Sequence, residues 1–149
     1  MAKTIRNVSS QRKTKRQIGS ASYKMKSKIV KTFMELLTMI KLYHWKTHSY
    51  AQHKATDELH ERLSESIDKF VEVLMGKANA RIYMIEKKMR MYDLNTKQEL
   101  RSAMFEYREF LVTELNRVFN SKKDSDILSI RDDMVTDINQ FLYLLTFDR

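Results

Sequence analysis

The sequence predicts an all-α protein, a four-helix bundle preceded by a cationic arm, and three observations predict it. First, 149 residues contain no proline and only two glycines, Gly19 and Gly76; a β-sandwich or an α/β sheet needs more turn formers. Second, four stretches repeat apolar residues at intervals of three and four, the signature of amphipathic helices. Third, residues 1–34 hold ten Lys or Arg and no acid, whereas the other 115 hold 18 basic and 19 acidic side chains, a balance of −1. A near-neutral body therefore carries a concentrated positive arm.

The arm is expected over residues 1–21 and the bundle over residues 22–149. The arm has few apolar residues and contains the cluster QRKTKR at 11–16, so by itself it cannot bury a face and should be disordered. Arg6, Arg12, Lys13, Lys15 and Arg16 are its candidate nucleic-acid-binding residues, because clustered cations displace counterions from a phosphate backbone. The bland alternative is a solubilising tail. With no cysteine, disulfides and thiolate metal sites are excluded. The longest apolar run, Phe141 to Leu145, is far too short to span a bilayer, and no secretory segment follows Met1. The expectation is a soluble, intracellular protein.

The first helix is predicted from about Tyr23 to His48, with Ile29, Phe33, Leu36, Ile40, Tyr43 and Thr47 on its apolar face. His44 falls within that face, four after Ile40, and Trp45 points nearly opposite. Ser49 and Gln52 read as a capping box opening the second helix, and Gly76 as its left-handed stop. Its core stripe is Leu59, Leu63, Ile67, Phe70, Val71 and Leu74. From 77 to 95 the residues show no clean period, and a short helix followed by a turn is expected. Asn95 or Thr96 caps the third helix, with Leu100, Met104, Tyr107, Leu111, Leu115 and Val118 inward. Ser125 caps the last, with Asp126 favourably placed in its first turn and Ile127, Ile130, Met134, Ile138, Phe141 and Leu145 inward. The one long connection lies between the second and third helices, where a ferritin-like bundle places its crossover.

Beside the core stripe of the second helix, His53, Asp57, Asp68 and Glu72 share an arc of roughly 100°. The plain reading is a solvated face, with Lys54, Arg62 and Lys69 as ion-pair partners. The other reading is a set of oxygen and nitrogen ligands for iron, manganese or zinc. Asp68 and Glu72 lie about 17 and 23 Å beyond Asp57 along a helix, so one subunit cannot bring both groups to one ion. A metal would belong between subunits, across a two-fold. A centre inside one bundle is excluded, because every histidine lies between 44 and 60 and the last two helices have none to give. His60-Glu61 is no metalloprotease motif either, since Ser64 stands where a second histidine is required. Asp133 and Asp137 are expected on the surface side or paired with Arg131 and its neighbours.

His44-Trp45, His53, Asp57, Asp68 and Glu72, with DELHERLSESIDKFVEV in register, resemble the second-helix region of the Dps miniferritins. That resemblance implies a dimeric iron site: His44, His53 and Asp57 from one subunit, Asp68 and Glu72 from its two-fold mate. It also implies an electron-supplying role for Trp45 and a DNA-holding role for the arm. His44 and His53 are nine apart, about three fewer than is usual in that family. The stretches HWKTHSYAQHKATDELHERL and IRDDMVTDINQFLYLLTF also resemble a ferritin-like family encoded by large DNA viruses and phages, which brings no established activity. Three expectations follow: an iron-binding, ferroxidase-type homo-oligomer; a virion structural protein whose arm grips DNA or capsid proteins; or a nucleic-acid-binding module on a dimeric base.

Overall fold

The computed structural model describes the backbone of residues 3–147 and the side chains of residues 23–147. It is all-α: α1 (Lys3–Lys46), α2 (Tyr50–Ala78), α3 (Lys97–Glu109), a π-helical turn (Phe110–Glu114), α4 (Leu115–Val118) and α5 (Ser125–Leu144). Residues 97–118 form one rod, so the bundle has four helical members. The expected arm, with Arg6, Arg12, Lys13, Lys15 and Arg16, lies outside the residues whose side chains are described.

Cross-helix pairs set the directions. His44 meets His53, and Lys41 meets Asp57, so α1 and α2 are antiparallel. Lys77 reaches Asp126 and Arg62 reaches Asp137, so α2 and α5 are antiparallel. Lys28 faces Glu114, Lys46 faces Asn95, and Arg108 faces Asn139; the third rod is therefore antiparallel to both α1 and α5. The order is up, down, down, up.

The core is the predicted set of stripes. Ile29, Phe33, Leu36 and Ile40 meet Leu59, Leu63, Phe70 and Leu74, and Leu100, Met104, Leu111 and Leu115 close on Ile127, Met134, Ile138 and Phe141. Phe33 packs edge-on against Phe70 (5.2 Å, 87°) and Phe110 (6.4 Å, 89°), and Phe70 against Phe119 (5.8 Å, 81°). Such pairs add ~1 kcal/mol each beyond the area they bury. Val71 is only partly buried and Val118 is exposed, both at the edges of their stripes.

The helix ends depart from the sequence expectation in five places, the first being the start of α1 at Lys3 rather than about Tyr23. Gly76 is not the stop of α2: the helix runs on to Ala78, and Asn79 takes the left-handed conformation at φ 46°, which Asn tolerates better than most residues. The box at α2 is half formed, because Ser49 Oγ accepts from Gln52 N (3.2 Å) while the Gln52 side chain turns to Tyr43 and Thr47. At α5 the cap is Asp124 rather than Ser125; Asp124 Oδ2 accepts from Asn120 N (2.9 Å) and closes the preceding turn. The first helix ends at Lys46, not His48. At α3 the cap is Thr96, one of the two residues expected, and with Glu99 it forms a full capping box that the sequence reading did not name.

No helix forms in the crossover. Residues 79–96 run extended along α1, from Ser27 (Oγ accepts from Ile85 N, 3.0 Å) past Glu35 (Oε1 accepts from Arg90 N, 2.8 Å) to Lys46, which pairs with Asp93. Nineteen residues of α-helix span about 28 Å, and eight extended residues about 26 Å, so the strap matches the helix it climbs. The π turn has a local cause: buried Arg131 donates to the Leu111 carbonyl (3.2 Å) and to Asn116 Oδ1 (2.8 Å), drawing that carbonyl out of the α ladder. Arg131 thus pairs with Asp132, not with Asp133 or Asp137; Asp137 faces Arg62 (3.5 Å).

Candidate metal centre at the helix hairpin

Lys46 and Tyr50 are separated by only three residues, Thr47 to Ser49, and side chains knit that turn. Tyr43 Oη donates to Gln52 Oε1 (2.5 Å), as does Thr47 Oγ1 (3.2 Å), and Ser49 N donates to Thr47 Oγ1 (3.2 Å). Thr56, fully buried, donates to the Gln52 carbonyl (2.7 Å). The result is a rigid polar seam between the ends of α1 and α2.

Two histidines sit on that seam. Their rings stack at 3.9 Å and 22°. His44 Nδ1 donates to the His53 carbonyl (2.9 Å), and His53 Nδ1 donates to the His44 carbonyl (3.0 Å). A carbonyl can only accept, so each Nδ1 carries a proton, and Nε2 is the nitrogen left to carry a lone pair in the neutral tautomer. Metal-binding histidines are commonly oriented by this kind of second bond. The sequence placed His44 on the core face; it is indeed buried, 6% exposed, while Trp45 is 70% exposed.

Asp57 lies beside His44. Its Oδ1 lies 3.7 Å from His44 Nε2 and 3.4 Å from Lys41 Nζ. The hydrogen bond from Lys41, with the charge of that ammonium, holds its carboxyl below the usual range, so it is an anion at neutral pH. His60, one turn further, is pushed down by partial burial and by Lys41; sequence reasoning left it out of the set, although its spacing of three from Asp57 put it on the same shoulder.

Asp68 and Glu72 stand apart. Both are exposed and make no hydrogen bond or ion pair with a described residue. Among the described residues, no three His, Asp or Glu side chains of one chain converge on a point that could hold an ion. The geometry stacks His44 on His53 and sets Asp57 beside His44, without the three converging as ligands, and it leaves Asp68 and Glu72 apart along α2. Of the expected lysine and arginine partners, Arg62 serves Glu58 and Asp137; Asp57 is served by Lys41 on the other helix.

These features define a class: an all-α bundle with a histidine pair locked at the hairpin joining its first two helices. The chain belongs to a family of unknown function, DUF5856, which matches residues 44–145. The matched region opens at His44 and includes Trp45, His53, Asp57, Asp68 and Glu72. Neither a curated protein nor a solved structure matches the chain.

Among the described residues no helix is long and apolar enough to cross a membrane.

Proposed function

We propose that this is a ferritin-like, metal-binding homo-oligomer in which the hairpin of one subunit and α2 of another share an iron site. The observation that carries the reading is the reciprocal pair of Nδ1–H bonds, which leaves the Nε2 of each ring open, that of His44 beside an ionised Asp57. Nitrogen and carboxylate donors of this kind suit iron(II), zinc or manganese. The up-down-down-up order with one full-length crossover supports the ferritin-like assignment.

His44, His53 and Asp57 would hold iron(II) as substrate, and Asp68 and Glu72 of a second copy would supply the remaining charge. Iron(II) bound there can pass electrons to oxygen or peroxide. The chain's own part is to fix both rings, to keep Asp57 deprotonated, and to offer exposed Trp45 as an oxidisable side chain nearby. The basic arm serves a polyanion, DNA first, by phosphate contacts that carry no sequence information.

A second reading rests on Lys41. Its ammonium already neutralises Asp57, as it would in a bundle that kept the hairpin for structure alone, such as a virion protein whose arm grips DNA or capsid neighbours. The two readings separate by experiment on the full chain. Metal analysis joined to mass in solution should find bound metal in a dimer or larger species. Asp68→Asn with Glu72→Gln should abolish binding with helicity unchanged, and Lys41→Gln should tighten it by removing a competing cation. Equal metal content in all three proteins would leave the structural reading standing.

A further inference from the structure

The near-zero charge of the body conceals a strong separation. Residues 23–46 and 79–95, the described part of α1 and the strap that lies on it, hold ten Lys or Arg and three acids. Helices α2 and α5, which pack together, hold ten acids and five cations. The strap's side also pairs its few acids with its own cations and amides. Glu35 is buried, accepts from Arg90 N and forms an ion pair with Lys31 (3.7 Å), Glu86 pairs with Lys31 (2.7 Å), and Asp93 pairs with Lys46. Arg81, Lys87 and Lys88 have no hydrogen-bond or ion-pair partner among the described residues and are exposed.

Exposed apolar side chains alternate with these cations. An extended chain sends successive side chains to opposite sides: Ile82, Tyr92 and Leu94 turn to the core, and Tyr83 and Met91, each 70% exposed, turn to solvent. Tyr23, 42% exposed with Lys26 5.6 Å over its ring, stands at the same end of α1, one turn before the Ser27 that anchors Ile85. A line of cations with an aromatic face open beside it is what a single-stranded nucleic acid requires: ammonium and guanidinium groups for phosphates, a ring for an unstacked base. A duplex offers no such base.

We propose that the strap is a binding surface for single-stranded nucleic acid, with Arg81, Lys87 and Lys88 contacting phosphates and Tyr83 stacking on a base. The surface is distinct from the arm and independent of any metal. Phosphate contacts by these three side chains release counterions, about 0.7 per contact on a single strand.

The test uses the full-length protein and a fluorescent oligothymidylate of about 20 nucleotides, with binding measured across salt concentration. Arg81→Gln with Lys87→Gln and Lys88→Gln should make the log–log salt slope shallower by about 2 and weaken binding at 0.1 M salt on the order of tenfold or more. Tyr83→Ala should weaken it about fivefold with the slope unchanged, and should have little effect on a duplex of equal length. Ultraviolet crosslinking of the unaltered protein, followed by peptide mapping, should mark Tyr83 and needs no variant to fold. Crosslinks confined to residues 1–21, or a triple variant with unchanged slope and affinity, would overturn the proposal. So would an equal loss on single strand and duplex with no effect of Tyr83→Ala, which is charge attraction without a base-stacking site.

Discussion

Two connections in this bundle solve one problem in opposite ways. The hairpin between α1 and α2 is three residues long and satisfies itself: Tyr43, Thr47, Ser49, Gln52 and Thr56 bond to one another across the turn. The strap between α2 and α3 spans the whole bundle and has little structure of its own. It is held at intervals by side chains of α1, at Ser27, Lys31, Glu35 and Lys46. A short connection can therefore fix side chains against each other, which is what paired ligands need. A long one held at a few points presents exposed side chains, which is what a surface for a flexible partner needs.

Four substitutions or conditions test that contrast. The largest effect is expected in the hairpin. Gln52→Leu removes the acceptor used by Tyr43 and Thr47 in a buried seam, and should cost about 2 kcal/mol in denaturant unfolding. It should also loosen the histidine stack, seen as broadened imidazole resonances. Unchanged stability together with unchanged imidazole lines would mean the seam is not what orders the pair.

Next comes the strap. Glu35→Ala leaves the Arg90 amide without its acceptor and should cost about 1–2 kcal/mol. Hydrogen exchange should accelerate around residues 85–93 while the hairpin amides keep their protection. Acceleration in both regions alike would erase the distinction between them.

At the junction of α2 and strap, Asn79→Ala forces a Cβ-bearing residue without Asn's tolerance into φ 46° and should cost about 1 kcal/mol, whereas Asn79→Gly should be neutral or mildly stabilising. Equal melting temperatures for the two variants would show that the turn rearranges freely.

The smallest effect is the pH response of the hairpin. His60 is depressed from 6.5, so the unfolded chain binds the extra proton first and stability falls as pH drops below about 6.5. Asp57 is depressed from 3.8; its contribution is present above that value and is lost as pH falls through the lower folded value. The melting temperature should show two shallow declines in those windows. His60→Gln should remove only the upper one, and Lys41→Gln should shrink both, the lower one more, because Lys41 holds down His60 as well as Asp57.

Local pattern determined most of the fold by itself. Period alone placed the stripes from Ile29 to Tyr43, Leu59 to Leu74, Leu100 to Leu115 and Ile127 to Leu145, because a helix must bury one face and the spacing names it. It also put His44 inward, Trp45 outward and the one long connection between the second and third helices. The cap of the third helix was legible to within one residue, Asn95 or Thr96, and the box to Glu99 selects Thr96.

Tertiary structure decided what depends on residues far apart in the chain. The strap has no period because its amides are satisfied by Ser27 and Glu35, more than 50 positions earlier. Asn79 rather than Gly76 ends α2, and Asp124 rather than Ser125 caps α5, choices made where the connecting chain had to leave. Lys41 reaches Asp57 only because α1 folds back on α2. The reciprocal imidazole bonds had no local signal at all: a spacing of nine becomes a stacked pair only when a three-residue turn sets two helix ends side by side. Sequence named the two histidines, and the packing of α1 on α2 assigned which nitrogen of each is engaged.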